Sequence, residues 1–147
     1  MQAFLSEFLY IASKGLKRKS MKGLKEFSLE FHIKTTARLL YTMVSTPEGL
    51  SRWFADNVVS KDGVYHFKWP DSEQSARLVF SRENECVRFQ WLDDFHKDYV
   101  MEMQIISNPL SPEVALMITD FAEPADLDFS QRLWEAQVKK LQRLFQA

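Results

Sequence analysis

Apolar and polar residues alternate along much of the chain, and a period of two is typical of half-buried β-strands. The clearest example runs from residue 24 to residue 34, where Phe27, Leu29, Phe31 and Ile33 occupy every second position. The pattern predicts further strands at residues 57–60, 64–69, 73–82, 86–92, 99–107 and 114–121. Because short polar turns separate most of these segments, neighbouring strands are expected to pair in antiparallel fashion.

Two short helices are predicted between the first strand and the second. A threonine at position 35 or 36 can cap a helix that continues to residue 44, since a threonine hydroxyl accepts a hydrogen bond from a free amide of the first turn. Thr46 and Pro47 then open a second helix, with proline at the position where no amide hydrogen is needed. This second helix is expected to end around Trp53 and Phe54.

A different periodicity marks residues 126–147. When they are wound at about 100° per residue, the apolar side chains lie within roughly 40° of one line, and these are Leu127, Trp134, Val138, Leu141 and Phe145. Such a helix spans about 30 Å and needs a large apolar partner. The sequence therefore predicts an α+β fold, in which a curved antiparallel sheet of six to seven strands wraps around one long carboxy-terminal helix.

Composition and charge narrow the class of protein. The 147 residues are 46% hydrophobic and 14% aromatic, which fits one globular domain with a substantial core. A net charge of −1 argues against a nucleic-acid partner, which favours a basic surface. Cys86 is the sole cysteine, so no internal disulfide is expected and a reducing, cytoplasmic location is predicted. No apolar run is long enough to predict a membrane span.

The first twenty residues differ from the rest, because Lys14, Lys17, Arg18 and Lys19 against Glu7 give them a net charge of +3. A secretory signal is disfavoured, since the positive charge follows the apolar part instead of preceding it. A helix that lies on a membrane surface is a second interpretation. We favour a third, in which residues 1–20 form a helical, peripheral extension ahead of a domain at residues 21–147.

Motifs for catalysis or metal binding are missing from the sequence. The three histidines fit no compact ligand spacing, and His32 and His66 fall on the polar sides of their strands. No nucleophile elbow, phosphate-binding loop or dinucleotide fingerprint occurs. Asp93, Asp94 and Asp98 are expected in a solvated turn. The prediction is therefore no catalytic residue, no metal and no cofactor.

The order of the elements resembles a known superfamily. One strand, two short helices, a run of strands and a long helix are similar to the START-like, or helix-grip (SRPBCC), proteins. Within them, the phrase at 46–54 (TPEGLSRWF) and the closing phrase at 133–144 resemble the branch named after activators of the ninety-kilodalton heat-shock chaperone's ATPase. The phrases at 88–94 and 114–123 resemble stand-alone bacterial domains of that group.

The resemblance implies a cavity between the sheet and the last helix, with its mouth near Trp53 and Phe54. On that basis the wall is expected to include Phe31 and these predicted ligand-binding residues: Trp53, Phe54, Tyr65, Phe67, Trp69, Leu78, Phe89, Trp91, Met101, Met103, Met117, Thr119, Trp134, Val138 and Leu141. Hydroxyls at Tyr65, Tyr99 and Thr119 are candidates for orienting a ligand. Strand 73–82 is read with Ala76, Leu78 and Phe80 on one face. A closed core without a cavity would use residues of the same kind.

Three functions follow from these expectations. The first is non-catalytic binding of a lipid-like or aromatic small molecule in that cavity. The second is an interaction module resembling a chaperone cofactor, with a chaperone or a second copy of the chain as its partner. The third, a cyclase- or hydratase-like enzyme, would need an inward-facing acid or base, and Asp120 is expected on the opposite face of its strand from the cavity.

Overall fold

A computed structural model describes residues 23–94 and 96–146. The predicted extension at residues 1–20 lies outside the described residues. The strands are β1 (Lys25–Ile33), β2 (Asn57–Lys61), β3 (Val64–Trp69), β4 (Ser72–Arg82), β5 (Cys86–Trp91), β6 (Val100–Ser107) and β7 (Val114–Ala122). The helices are α1 (Ala37–Ser45), α2 (Pro47–Leu50) and α3 (Leu127–Leu144), and a 3₁₀ turn at Pro124–Asp126 leads into α3.

The strands form one antiparallel sheet in the order β1-β7-β6-β5-β4-β3-β2. Every neighbouring pair is consecutive in the chain except β1 and β7, whose register places Lys25 opposite Ala122 and Ile33 opposite Val114. The predicted α+β architecture, a curved sheet with a long carboxy-terminal helix and two short helices after the first strand, is confirmed. The face that carries the helices is called the concave face below, and the other is the convex face.

The two short helices form as their caps predict. The Thr36 hydroxyl accepts a hydrogen bond from the amide of Leu39 at 3.2 Å, and the Thr46 hydroxyl accepts one from the amide of Gly49 at 2.9 Å. A Cβ atom at Gly49 would lie 2.2 Å from the carbonyl oxygen of Thr42, so only glycine allows α2 to pack this closely on α1. Helix α2 ends at Leu50, earlier than predicted, and residues 51–54 form turns.

Helix α3 is shorter than the predicted 126–147. It buries the middle of the predicted stripe, whereas Leu127 and Phe145 are half-buried. Trp134, Val138 and Leu141 are at most 4% exposed. The Gln142 side chain donates a hydrogen bond from Nε2 to the His32 carbonyl at 2.9 Å, which ties the end of the helix to β1. Helix α3 lies against β1 and β7, and α1 covers β5 and β6. The two helices together cover much of the concave face.

A β-bulge in β4 changes which residues face the helices. Leu78 pairs with Phe89, but the register shifts before the next pair, Phe80 with Arg88. The extra residue is Val79, and it turns Phe80 to the convex face, where the Arg88 guanidinium lies 4.6 Å from the ring centroid. The expectation that Phe80 shares a face with Ala76 and Leu78 is wrong, because a bulge breaks the period of two.

Candidate functional site

The concave face gathers most of the predicted ligand-binding residues. All of these side chains are at most 7% exposed: Trp53, Phe54, Tyr65, Phe67, Trp69, Phe89, Trp91, Met101, Met103, Trp134, Val138 and Leu141. Leu78 and Phe31 are half-buried and pack against the same core. The structure thus brings the sheet face, the α2–β2 segment and the α3 stripe into one apolar interior.

Phe54 lies at the centre of this interior. Its ring contacts Phe67 and Trp69 on the sheet edge-on, with centroids 5.2 and 5.9 Å away. The ring is within 27° of parallel to two tryptophans, Trp91 of β5 at 6.5 Å and Trp134 of α3 at 5.7 Å. A side chain from the short segment between α2 and β2 therefore fills an aromatic slot between the sheet and the long helix.

Hydrogen bonds hold the segment that carries Phe54 in place. The carbonyl oxygen of Phe54 accepts from Trp69 Nε1 at 3.1 Å and from Gln137 Nε2 at 2.8 Å. The indole of Trp53 donates to the carbonyl of Met43 at 2.9 Å. The buried indoles and one buried amide of the slot thus support the backbone, as buried polar groups require partners.

Tyr65 also uses its hydroxyl within the fold. The hydroxyl donates to the Ser45 carbonyl at the end of α1, at 2.6 Å. Burial raises the pKa of the Tyr65 hydroxyl, and the nearby Tyr41 and Glu48 raise it further. The group stays protonated at neutral pH and acts as a donor to α1. Tyr99 packs its ring against Phe121, with centroids 4.8 Å apart.

The faces of β7 are the reverse of the prediction. Thr119 pairs with Ser28, and their hydroxyls are 3.0 Å apart on the convex face, away from the helices. Met117 has the same parity and shares that face. The expectation that Met117 and Thr119 line the interior is wrong, because residues 114–118 are apolar at every position and carry no alternation. Asp120 faces inward instead, opposite Phe27.

Asp120 is an inward-facing carboxyl at one end of the concave face. Its Oδ2 accepts a hydrogen bond from Trp134 Nε1 at 2.9 Å. Burial raises the pKa of the Asp120 carboxyl, and it outweighs the bonds from Trp134 and the Phe121 amide and the charge of His96, which all favour ionisation. The carboxyl therefore holds a proton more readily than an exposed aspartate does.

The turn between β5 and β6 adds a second carboxyl to this end. The Asp93 side chain accepts at Oδ2 from the His96 amide at 3.0 Å, and His96 Nδ1 lies 2.9 Å from the same atom. Gln74 Nε2 donates to Asp93 Oδ1 at 3.2 Å. Burial by itself would raise the pKa of Asp93, but the bonds and charge of His96 and the bond from Gln74 hold it below its ordinary value. Asp93 is thus a structural acceptor, which corrects the expectation of a solvated residue.

Two glutamines leave acceptor atoms unpaired in the interior. Gln74 and Gln137 are 7% and 2% exposed. Each donates through Nε2, but neither Oε1 atom has a hydrogen-bond partner among the described residues. A buried acceptor without a donor costs about 1–3 kcal/mol. A molecule that brought a hydrogen-bond donor to either atom would recover this free energy.

A surface cavity of about 220 Å³ opens beside the slot. Its lining includes Trp53 and Ala55, the neighbours of Phe54, together with Arg52, Asp56 and Lys140 of α3. The two cations and Asp56 make its rim polar. Of the two residues predicted at the mouth of the binding site, Trp53 lines this cavity, whereas Phe54 is buried and does not.

Sequence reasoning missed the polar half of this site. Gln74 and Gln137 carry no motif, and Asp120 was placed on the wrong face. The contact between Asp93 and His96 could have been predicted, because an aspartate side chain can accept a hydrogen bond from the amide three residues later. Across residues 23–94 and 96–146, no cluster of three or more His, Cys, Asp or Glu side chains could hold a metal ion. The same residues include no helix that is long and apolar enough to cross a membrane.

The comparisons with known proteins agree with this geometry. A family model described as a START-like superfamily domain matches residues 21–147. The chain belongs to the START-like superfamily. This START-like domain is similar to BfR322 from Bacteroides fragilis, whose structure was determined in solution, with 36% identity over 82% of this chain and 90% of that chain and a TM-score of 0.59.

More distant structures share the fold of this START-like domain. The Aha1 dimer of Colwellia psychrerythraea is 13% identical over 80% of this chain and 93% of its own, with a TM-score of 0.70. CalU16 of Micromonospora echinospora is 12% identical over 80% of this chain and 74% of its own, with a TM-score of 0.64. At these identities the likeness concerns the fold alone. No curated protein matches the sequence significantly.

Proposed function

We propose that the protein binds a small, flat, largely apolar molecule between the concave face and α3, without catalysing a reaction. The observation that carries this proposal is the aromatic slot itself, in which the Phe54 ring is nearly parallel to Trp91 and Trp134. A planar molecule can take the place of that ring if residues 51–56 move outward. The START-like fold supports this reading, because binding of hydrophobic ligands is typical of the family.

The unpaired glutamine oxygens indicate what else the molecule carries. Gln74 Oε1 and Gln137 Oε1 are acceptors without donors, so a ligand with a hydroxyl or an N–H group fits better than a pure hydrocarbon. Displacement of the Phe54 carbonyl would also free the donors Trp69 Nε1 and Gln137 Nε2. The expected ligand is therefore aromatic or similarly planar, with one or two polar groups.

A matched pair of probes tests this proposal. 2-Naphthol and 2-methylnaphthalene have nearly the same shape, but only the first can donate a hydrogen bond. Titration of the wild-type protein, followed through tryptophan fluorescence, is expected to show binding of both, with 2-naphthol about tenfold tighter because one net hydrogen bond contributes about 1 kcal/mol or slightly more. Equal affinities would contradict the role of the glutamines.

The Phe54→Ala variant locates the binding site. Removal of the ring is expected to tighten 2-naphthol binding several-fold, since the probe no longer displaces a side chain. Val59→Ala, at a 54% exposed position on the convex side, is the control and should leave affinity unchanged. If only Phe54→Ala binds the probes and the wild type does not, the cavity was created by the mutation and the proposal fails.

Asp120 supports a second candidate, an enzyme of the cyclase or hydratase kind. An inward carboxyl with a raised pKa suits a general acid or base. Incubation of a cellular metabolite extract with wild-type protein and with Asp120→Asn, followed by mass spectrometry, separates the two. A product that forms only with the wild type would favour the enzyme, and extracts that stay identical would favour a binding protein. The chaperone-cofactor hypothesis stays a prediction.

A further inference from the structure

The convex face carries an apolar groove that the ligand-binding proposal does not use. It encloses about 560 Å³ and runs across four strands, from Val79 and Phe80 on β4 to Phe121 on β7. Val100 contributes to its apolar lining, and the ion pair between Arg88 Nε and Glu102 Oε2, at 2.8 Å, lies within it. Val79 is 46% exposed. This set is called the convex groove.

The groove is a local departure from the usual pattern of the sheet. A convex face in contact with water normally carries polar side chains at alternate positions. Here the bulge at Val79 turns Phe80 outward, and β6 and β7 add Val100 and Phe121. Clustered apolar side chains on a surface indicate a contact with another segment or molecule.

Strand β1 begins at the edge of this groove. Strand β1 starts with Lys25 opposite Ala122 and Glu26 opposite the groove residue Phe121. The described part of the chain therefore begins next to Phe121, and 22 residues precede it in the sequence. Strands are about 4.8 Å apart, so the groove from β7 to β4 spans about 14 Å. Residues 13–24, fully extended, reach about 40 Å.

The composition of the preceding segment matches what surrounds the groove. Residues 4–12 are rich in apolar side chains, among them Phe4, Leu5 and Phe8, and a basic stretch follows at residues 14–19. The convex side of β1 presents the exposed carboxylates Glu26 and Glu30, on the same side as Glu102. The net charge of +3 on residues 1–20 is thus opposite in sign to the charge on this side of β1.

We propose that the amino-terminal segment of this chain docks in the convex groove, with the apolar residues of 4–12 against Phe80, Val100 and Phe121. The basic stretch then lies near Glu26 and Glu30. Because the segment is tethered to β1, its effective concentration at the groove is in the millimolar range, which gives it an advantage over free partners. Docking would cover the apolar groove and leave the concave site untouched.

Photo-crosslinking in the full-length chain tests this placement. p-Benzoylphenylalanine at position 8 is expected to give adducts at the mass of the monomer, on peptides from β4 to β7 that contain convex residues. Adducts on α3 or on other concave residues, or no adducts, would overturn the proposal. Adducts at the mass of a dimer would assign the groove to a second copy and would also overturn it. Loss of adducts only when anionic phospholipid vesicles are added would show that the segment leaves the groove for a membrane.

Two sets of variants make the result specific. Phe121→Arg is expected to lower the crosslink yield at least fivefold, whereas Val59→Arg, on the convex side of β2, should leave it unchanged. The double charge reversal Glu26→Lys with Glu30→Lys tests the same contact at exposed positions that leave the core intact, and is expected to lower the yield several-fold. Circular dichroism confirms that each variant is folded. Unchanged yields in both the groove variant and the charge variant would contradict docking.

Discussion

The two faces of the same sheet differ in how completely their apolar side chains are buried. The concave face packs Phe67, Phe89 and Met103 at 0–1% exposure beneath two helices. The convex face leaves Val79 and Ile106 at 46% and 37% exposure. Strand for strand, the residues alternate between these environments. The comparison teaches that the concave face supplies most of the buried apolar core, while the convex face keeps apolar side chains accessible.

The strongest test of this comparison is the loss of the ring at the centre of the concave face. Phe54→Ala is expected to lower the free energy of unfolding by about 3–5 kcal/mol, because the ring packs against Phe67, Trp69, Trp91 and Trp134. Urea denaturation measures the change. Val59→Ala is the convex control and should alter it by less than about 0.5 kcal/mol. Comparable losses in both variants would show that the faces do not differ as described.

A second test concerns the polar end of the concave face. Trp134→Phe keeps an aromatic ring but removes the indole donor to Asp120 Oδ2, so it leaves a desolvated carboxyl without that bond. We expect a loss of about 1–3 kcal/mol at neutral pH. Asp120→Asn is the matched variant, since the amide oxygen still accepts from the indole and no charge is buried. It should be as stable as the wild type or more stable, and a large loss would argue against a desolvated carboxyl.

Two adjacent residues in β4 test the comparison within one strand. Leu78 is half-buried on the concave side, and Val79 in the bulge belongs to the convex groove. Leu78→Ala is expected to cost about 1–2 kcal/mol, because part of a leucine side chain is removed from the core. Val79→Ala should cost less than about 0.5 kcal/mol. A larger loss of stability for Val79→Ala than for Leu78→Ala would contradict the assignment of Val79 to the bulge.

The smallest expected effect is a difference in pH dependence between two carboxyls. The pKa of Asp93 is held below its ordinary value of about 3.9, so its contribution is fully present above that value and is lost as the pH falls through the lower folded pKa. For Asp120 the folded pKa is raised, so ionisation destabilises the fold above that pKa, and the penalty is relieved as the pH falls towards the ordinary value.

Urea midpoints between pH 3 and pH 8 separate these contributions. Asp93→Asn should flatten the fall in stability below about pH 4. Asp120→Asn should remove the loss of stability that grows as the pH rises above the ordinary aspartate pKa of about 3.9. Each variant is the control for the other, because each should change a different part of the curve. An identical change in both variants would contradict the opposite pKa shifts.

Much of the fold could be predicted because its signals are local. The period of two found the strands, and the threonine caps and Pro47 located the two short helices. The apolar stripe of α3 could be read directly, since helical spacing places Trp134, Val138 and Leu141 together. Alternation also placed Tyr65, Phe67 and Trp69 on one face of β3, and all three are buried.

The site was harder to predict, because its decisive features depend on partners far along the chain. Gln137 donates to the carbonyl of Phe54, 83 residues away, and no local sequence pattern near either residue predicts this hydrogen bond. Asp93 looked like an exposed turn residue, yet Gln74 from another strand reaches it. The first pair forms only when the long helix packs on the sheet, and the second only when β4 and β5 pair.

The sequence by itself determined the elements, their order and the chemistry of most faces, because period, caps and turns are properties of neighbouring residues. Tertiary structure alone decided which face each side chain of β7 takes, because its apolar run does not alternate with polar residues. It also decided the outward turn of Phe80 at the bulge. It also decided that Phe54 fills the space beneath α3 and that Asp120 faces inward. The physical reason is that the packing of whole elements decides which side chains are buried. One inserted residue, or a register shift of one position, moves the side chains of a strand to the opposite face.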